Sequence, residues 1–175
     1  MVQEAEAGRE EAASVEERER LPAQRIPFLF PENQIMTLTA PASHDATLVP
    51  EDRRMAFLPR LFGRHLLIIG EHTVFSFMER LSPEDYGGGI WDFYELAGAP
   101  LYMAPTSKSR FRLSWEDNGY EGEVSAGAAG IIATLFAFSH LSFSYDVDEL
   151  ANGFARLYAY ATDHPEAREI FRTID

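Results

Sequence analysis

Four short runs between residues 90 and 125 constrain the fold most: IWDFYEL, PLYMAP, RFRLSWED and GYEGEVS. They are rich in aromatic and β-branched residues, which suit pleated, half-buried surfaces. Only a few residues of turn chemistry separate them: Ala-Gly-Ala-Pro, Pro-Thr-Ser-Lys-Ser and Asp-Asn-Gly. A parallel crossover needs about a dozen residues or more, so neighbouring strands here must be antiparallel. Asn118-Gly119 is the strongest hairpin signal, because a tight turn needs positive φ and these residues supply it. The expectation is an antiparallel meander of three to four strands.

Helical patterns flank the strands. LVPEDRRMAFLPRLFG predicts a short helix opened by Pro50, then a turn at Pro59 and Gly63. EHTVFSFMERLS starts a second helix near Glu71-His72, with Val74, Phe75, Met78 and Leu81 on one stripe. Ser82-Pro83 stops it, since proline disfavours α geometry in the preceding residue. From Ser125, a good N-cap, SAGAAGIIATLFAFSHLSF is apolar nearly all round and predicts a central buried helix. Gly127 and Gly130 let another backbone approach it. Asp146 and Glu149 have capping-box spacing ahead of a stripe of Val147, Leu150, Phe154, Leu157, Tyr158 and Ala161. A last helix opens at Pro165, with Ile170 and Phe171 as its apolar contacts. Helices, then strands, then helices read as α+β.

At 175 residues the chain is about one domain's worth. Residues 1–46 form an acidic, proline-containing tail or linker with little to bury, so disorder is expected there. The run IPFLF within it is expected to dock on the chain's own domain, which spans residues 47–175. The chain has no cysteine, which removes disulfides, thiol nucleophiles and Cys-based zinc sites. The N-terminus lacks an apolar signal region. The most apolar stretch, AAGIIATLFAF, is too short for a span of about 20 residues. These features fit a cytoplasmic protein with no membrane partner.

The formal net charge of −13 opposes direct nucleic-acid binding, which relies on Lys and Arg. It leaves open an acidic mimic of DNA. A strand-built mimic needs acids at every second position, close to one phosphate step. Only Glu121 and Glu123 show that pattern, and SKSRFRLSWED mixes signs.

Catalytic signatures are weak. Gly87 to Gly89 lie between a helix and a strand, the reverse of a phosphate loop, and no Lys or Arg follows until Lys108. They read as a chain reversal needing positive φ. His44, His65, His72, His140 and His164 form no metal-ligand pair, and His140 is placed to cap the end of the buried helix. Asp146 with Asp148, and Glu84 with Asp85, lie at element ends where capping and solvation are expected. Arg53, Arg54, Arg60 and Arg64 make the most basic stretch, read as a solvated or salt-bridged face in preference to an anion site, with Arg60 and Arg64 on one side of a helix.

The blocks TLVPEDRRMAFLPRLFG, GGGIWDFYELAGAPLYMAP, GYEGEVSAGAAGIIATLFAFSHL and YAYATDHPEAREIFRTID resemble the bacterial antirestriction proteins of the ArdB/KlcA type. The likeness runs from Thr47 to the C-terminus. It departs at Ala99-Pro100-Leu101, which replaces a glycine-rich turn and an aromatic before Tyr-Met-Ala-Pro. The resemblance implies a small α+β protein, often carried on plasmids or other mobile elements, that relieves type I restriction-modification and protects incoming unmodified DNA. It implies no enzyme, catalytic residue, metal or cofactor. The implied partner is the type I complex or a host factor acting on it. The candidate interaction surface is Tyr86, Trp91, Asp92, Tyr94, Glu95, Trp115, Glu116, Asp117 and Glu121. On residues 91–95, Trp91, Phe93 and Glu95 share one face, and Asp92 and Tyr94 the more accessible one. Alternative functions are an acidic DNA mimic filling the endonuclease groove, and a small hydrolase using Glu, Asp and His in a glycine-rich cleft.

Overall fold

The computed structural model describes residues 45–175. The expectations placed on the tail, on its run 26–30 and on His44 lie outside the described residues. In chain order the elements are β1 (Thr47–Leu48), a 3-10 turn (Glu51–Arg53), α1 (Arg54–Phe62) and α2 (Leu67–Leu81). The strands β2 (Trp91–Leu96), β3 (Ala99–Pro105), β4 (Arg110–Trp115) and β5 (Tyr120–Ser125) follow. The helices α3 (Ala126–Ser142), α4 (Asp148–Thr162) and α5 (Ala167–Ile174) complete an α+β fold.

All strand pairs are antiparallel, as short connections require. The strands form two sheets rather than one meander: β1-β2-β3 and β4-β5. The break falls between β3 and β4. After β3 the chain is drawn back towards the start of β2, where Thr106 donates its backbone N–H and its hydroxyl to the carbonyl of Ile90. The free edge of β4 is then taken by the segment after α2. Ser82 Oγ donates to the carbonyl of Arg112 at 2.8 Å, and Asp85 Oδ2 accepts the Arg112 N–H at 2.9 Å. Side chains thus satisfy an edge that an adjacent strand leaves unpaired.

The two sheets are anchored differently. In the first, α3 lies directly on β3. A Cβ added at Gly130 would sit 2.1 Å from the carbonyl oxygen of Met103, so only glycine permits this backbone approach. Gly127 has no such role, since its Cβ would meet only side-chain atoms, the nearest at 3.7 Å. α3 is the central helix, buried from Ala128 to Leu135. Ser125 caps it by accepting the Ala128 N–H. In the second sheet, Phe111, Leu113, Tyr120 and Val124 point into the core and the alternate residues face outward. Asn118 closes the β4–β5 turn by accepting the Tyr120 N–H, and its amide donates to the carbonyls of Arg172 and Thr173 near the end of α5.

Several element boundaries differ from expectation. α1 continues through Pro59, because the hydrogen bond lost there falls on the carbonyl of solvent-open Met55. Gly63 ends α1 at φ 82°, and Arg64 therefore lies off the helix and shares no face with Arg60. α2 begins at Leu67, so Glu71-His72 sit inside it. Burial of Gly70 and Val74 extends the helix past any polar start signal. α4 starts at Asp148 with Val147 in the cap position and no side-chain cap bond, so Asp146 does not close a capping box. Pro165 precedes α5, whose cap position is Glu166. His140 packs edge-on against Phe77, with ring centroids 5.7 Å apart, rather than serving as a cap. Gly88 and Gly89 take φ of 89° and 129°, the reversal expected there.

Candidate interaction surface

The nine candidate residues divide between the two sheets. Tyr86, Trp91, Asp92, Tyr94 and Glu95 belong to the first sheet or its approach. Trp91 and Tyr86 are core residues, 4% and 7% exposed. The Trp91 indole donates to the Tyr86 hydroxyl at 3.0 Å and lies against Phe75. Burial pushes the Tyr86 and Tyr94 phenols above their usual range, so both stay neutral. Tyr94 stacks flat on Tyr102 at 4.8 Å and is only half-exposed. Glu95 is buried and held by both terminal nitrogens of Arg53, at 3.1 and 2.5 Å. Asp92 faces Arg54 at 3.7 Å, and Arg54 also stacks on Phe93 and donates to the Trp91 carbonyl. Arg53 and Arg54 are therefore salt-bridged. Tyr86, Trp91 and Glu95 leave the candidate surface, because Phe75 of α2, Phe57 of α1 and Arg53 cover the face of β2 that carries Trp91 and Glu95, and Tyr86 bonds Trp91 beneath it.

Trp115, Glu116, Asp117 and Glu121 do come together, at the β4–β5 turn. Trp115 is half-buried between Phe77, Phe136 and the guanidinium of Arg80, which lies 4.7 Å above its ring. Such stacking fixes a cation over the ring's negative face. Glu116, Asp117 and Glu121 are exposed. Among the described residues none of the three has a basic group within the 4.0 Å of an ion pair. Elsewhere on this face charges are paired: Arg110 with Glu123 at 2.6 Å, and Arg112 with Glu84 at 3.0 Å. Asp85 is the hub beneath them, accepting from Arg112 and Lys108. Those hydrogen bonds hold its carboxyl well below the usual carboxylate range.

Two hollows flank this hairpin. One of about 290 Å³ is lined by Arg80, Pro83, Ser114, Trp115, Glu116 and Asp117. The other, about 560 Å³, is lined by Glu84, Arg112, Glu121 and Glu123 among others, and the two meet at Pro83 and Ser114. Neither is lined by a histidine. No group of three His, Asp or Glu among the described residues is placed to hold a metal ion. The period-2 alternation of RFRLSW already puts Arg110, Arg112 and Ser114 on one face. Arg80 and Pro83 join them only through the packing of α2, which no local pattern signals.

Comparison with known proteins agrees with this architecture. A family model described as antirestriction protein matches residues 84–175, from the loop carrying Asp85 through both hairpin strands and the C-terminal helices. The antirestriction protein KlcA of Escherichia coli is 44% identical over 136 residues, covering 74% of this chain and 92% of the relative. A second Escherichia coli KlcA is 40% identical over 134 residues, covering 74% and 94%. A solved structure superposes with a TM-score of 0.66 at 42% identity, over 75% of this chain and 94% of that one. It was described as showing a novel fold for KlcA and ArdB, with antirestriction activity against Type I DNA restriction systems in vivo but not in vitro. Matched by family model, sequence and fold, the chain belongs to the antirestriction protein family.

Proposed function

We propose that this protein acts in the cytoplasm to relieve type I restriction-modification of incoming unmodified plasmid or phage DNA, by binding a protein and making or breaking no bond. The observation that carries the contact is the cluster at the β4–β5 turn: one fixed aromatic, Trp115, beside three exposed carboxylates without internal cations. A half-buried tryptophan with a polar rim suits an interface anchor. The partner is the type I complex itself or a host factor acting on it.

The behaviour described for KlcA and ArdB, active in vivo but not in vitro, favours a partner missing from a purified reaction. A mimic filling the endonuclease groove needs nothing but the enzyme. The outward face of β4–β5 also intersperses Arg110 and Arg112 with its acids, which dilutes any phosphate-like row.

The test is plating efficiency of unmodified phage on a host with an active type I system. Wild type restores plating, and the triple variant E116Q/D117N/E121Q loses at least about tenfold of that effect, equivalent to about 1.4 kcal/mol of contact. Unchanged plating with the wild-type gene removes the function. Full activity of the triple variant removes the surface. Competition of the purified protein with DNA at low salt, weakening steeply as salt rises, replaces protein contact with mimicry.

A further inference from the structure

We infer that the β2–β3 turn carries an oxyanion-binding site built by Arg60 of α1 and Arg156 of α4, taking one carboxylate or phosphate group. This inference does not rest on the function proposed above. Arg60 Nη2 donates to the carbonyl of Gly98 at 2.8 Å, and Arg156 Nη2 donates to the carbonyl of Pro100 at 2.8 Å. Two guanidinium groups from different helices thus converge on carbonyls two residues apart. Each has five N–H donors, and each places one on the turn.

The remaining donors set this pair apart. Nε of Arg156 is closed off from solvent and has no acceptor. A buried guanidinium N–H without an acceptor costs about 1–3 kcal/mol. Neither arginine has a carboxylate within 4.0 Å among the described residues. Arg53, Arg54, Arg110, Arg112 and Arg172 form ion pairs, whereas Arg64, Arg80 and Arg168 do not; what distinguishes Arg156 among the described arginines is its buried N–H without an acceptor. Arg60 is exposed and solvated, so the cost falls on the half-buried Arg156, whose Nε–H lacks an acceptor. Burial, and the nearby charge of Arg60, hold the Arg156 pKa below the usual arginine value. A bound oxyanion offsets both by its opposite charge. It also supplies the planar or tetrahedral oxygens that a guanidinium fork recognises bidentately.

The test is an NMR titration of the full chain with inorganic phosphate and, separately, with acetate, following the Gly98 and Ala99 amides and the Arg156 Nε–H. Sodium chloride at matched ionic strength is the control. Saturable shifts at these signals with phosphate alone, acetate alone or both support the site and tell which group it takes. R60Q removes an exposed side chain and leaves the fold intact, and it is expected to weaken the binding at least about tenfold. Absence of saturable shifts with both anions overturns the site. So do equal shifts with chloride, or wild-type affinity in R60Q.

Discussion

In the three-stranded sheet, β3 is buried continuously from Pro100 to Pro105, whereas β4 alternates between exposed Arg110, Arg112, Ser114 and buried Phe111, Leu113. Both strands begin as short apolar-aromatic runs. The difference is the number of faces covered. α3 takes one face of β3 while α1 and α4 also contact the strand. A strand covered on both sides reads as a continuous apolar run, and one covered on a single side reads as alternation. β3 can therefore hold only packing residues. The second sheet keeps one face available for charge, and Glu116, Asp117 and Glu121 lie exposed at its turn without ion-pair partners among the described residues. The position of a candidate interface follows from which sheet the helices leave half-covered.

The most destructive way to break the first sheet is at its contact with α3. Gly130→Val drives a side chain into the Met103 carbonyl and is expected to cost at least about 3 kcal/mol, read as a lowered denaturation midpoint. Retention of full stability would show that α3 does not sit on the backbone of β3. Next, Arg53→Ala strands the buried Glu95 carboxylate. Because Arg53 itself is partly exposed, a loss of about 2 kcal/mol is expected, below the range for fully buried pairs.

The second sheet is probed by Asp85→Asn, which frees the edge of β4. The Asp85 carboxyl is depressed in the folded state, so its contribution is fully present above the unfolded value of about 3.9. It is lost as pH falls below that value towards the folded one. The stability gap between wild type and Asp85→Asn should thus shrink in urea melts taken from pH 5 downward. A gap independent of pH contradicts the network.

A smaller change sharpens the comparison at the β2–β3 turn. Ala97 takes φ 50° beside Gly98 at φ 77°, a turn that suits Asn-Gly. Ala97→Asn is expected to raise stability by up to about 1 kcal/mol. Smallest of all, E116Q/D117N/E121Q should stay within about 0.5 kcal/mol of wild type. It separates the half-covered sheet's functional role from any structural one.

Much of the fold was legible. Asn118-Gly119 announced the β4–β5 turn, where Gly119 takes φ 70° and the Asn118 side chain accepts the Tyr120 N–H, and Ser125 announced α3 because its hydroxyl reaches the orphan Ala128 N–H. Val74, Met78, Leu150 and Leu157 followed helical spacing into the core. The candidate surface was half legible. Trp115, Glu116, Asp117 and Glu121 surround one turn. Tyr86, Trp91 and Glu95 carry the same residue types but are buried; alternation along β2 put Trp91 and Glu95 on the less accessible face but did not show that α2 and Arg53 would cover it. Asp146 failed as a cap for a related reason: capping-box spacing does not reveal which residue adopts extended geometry, and the structure gives that place to Val147.

By itself the sequence determined that neighbouring strands pair antiparallel, that the helix after Ser125 is central and that the chain turns at Gly63, Ser82-Pro83 and Asn118-Gly119, because these depend on residues a few positions apart. Only the tertiary structure decided that the strands divide into two sheets, that Glu95 is buried on Arg53, and that Arg60 and Arg156 meet on one turn. The hydrogen bonds behind those outcomes join residues 30 to 56 positions apart, where the deciding energy comes from which face another element covers and local pattern carries no record of it.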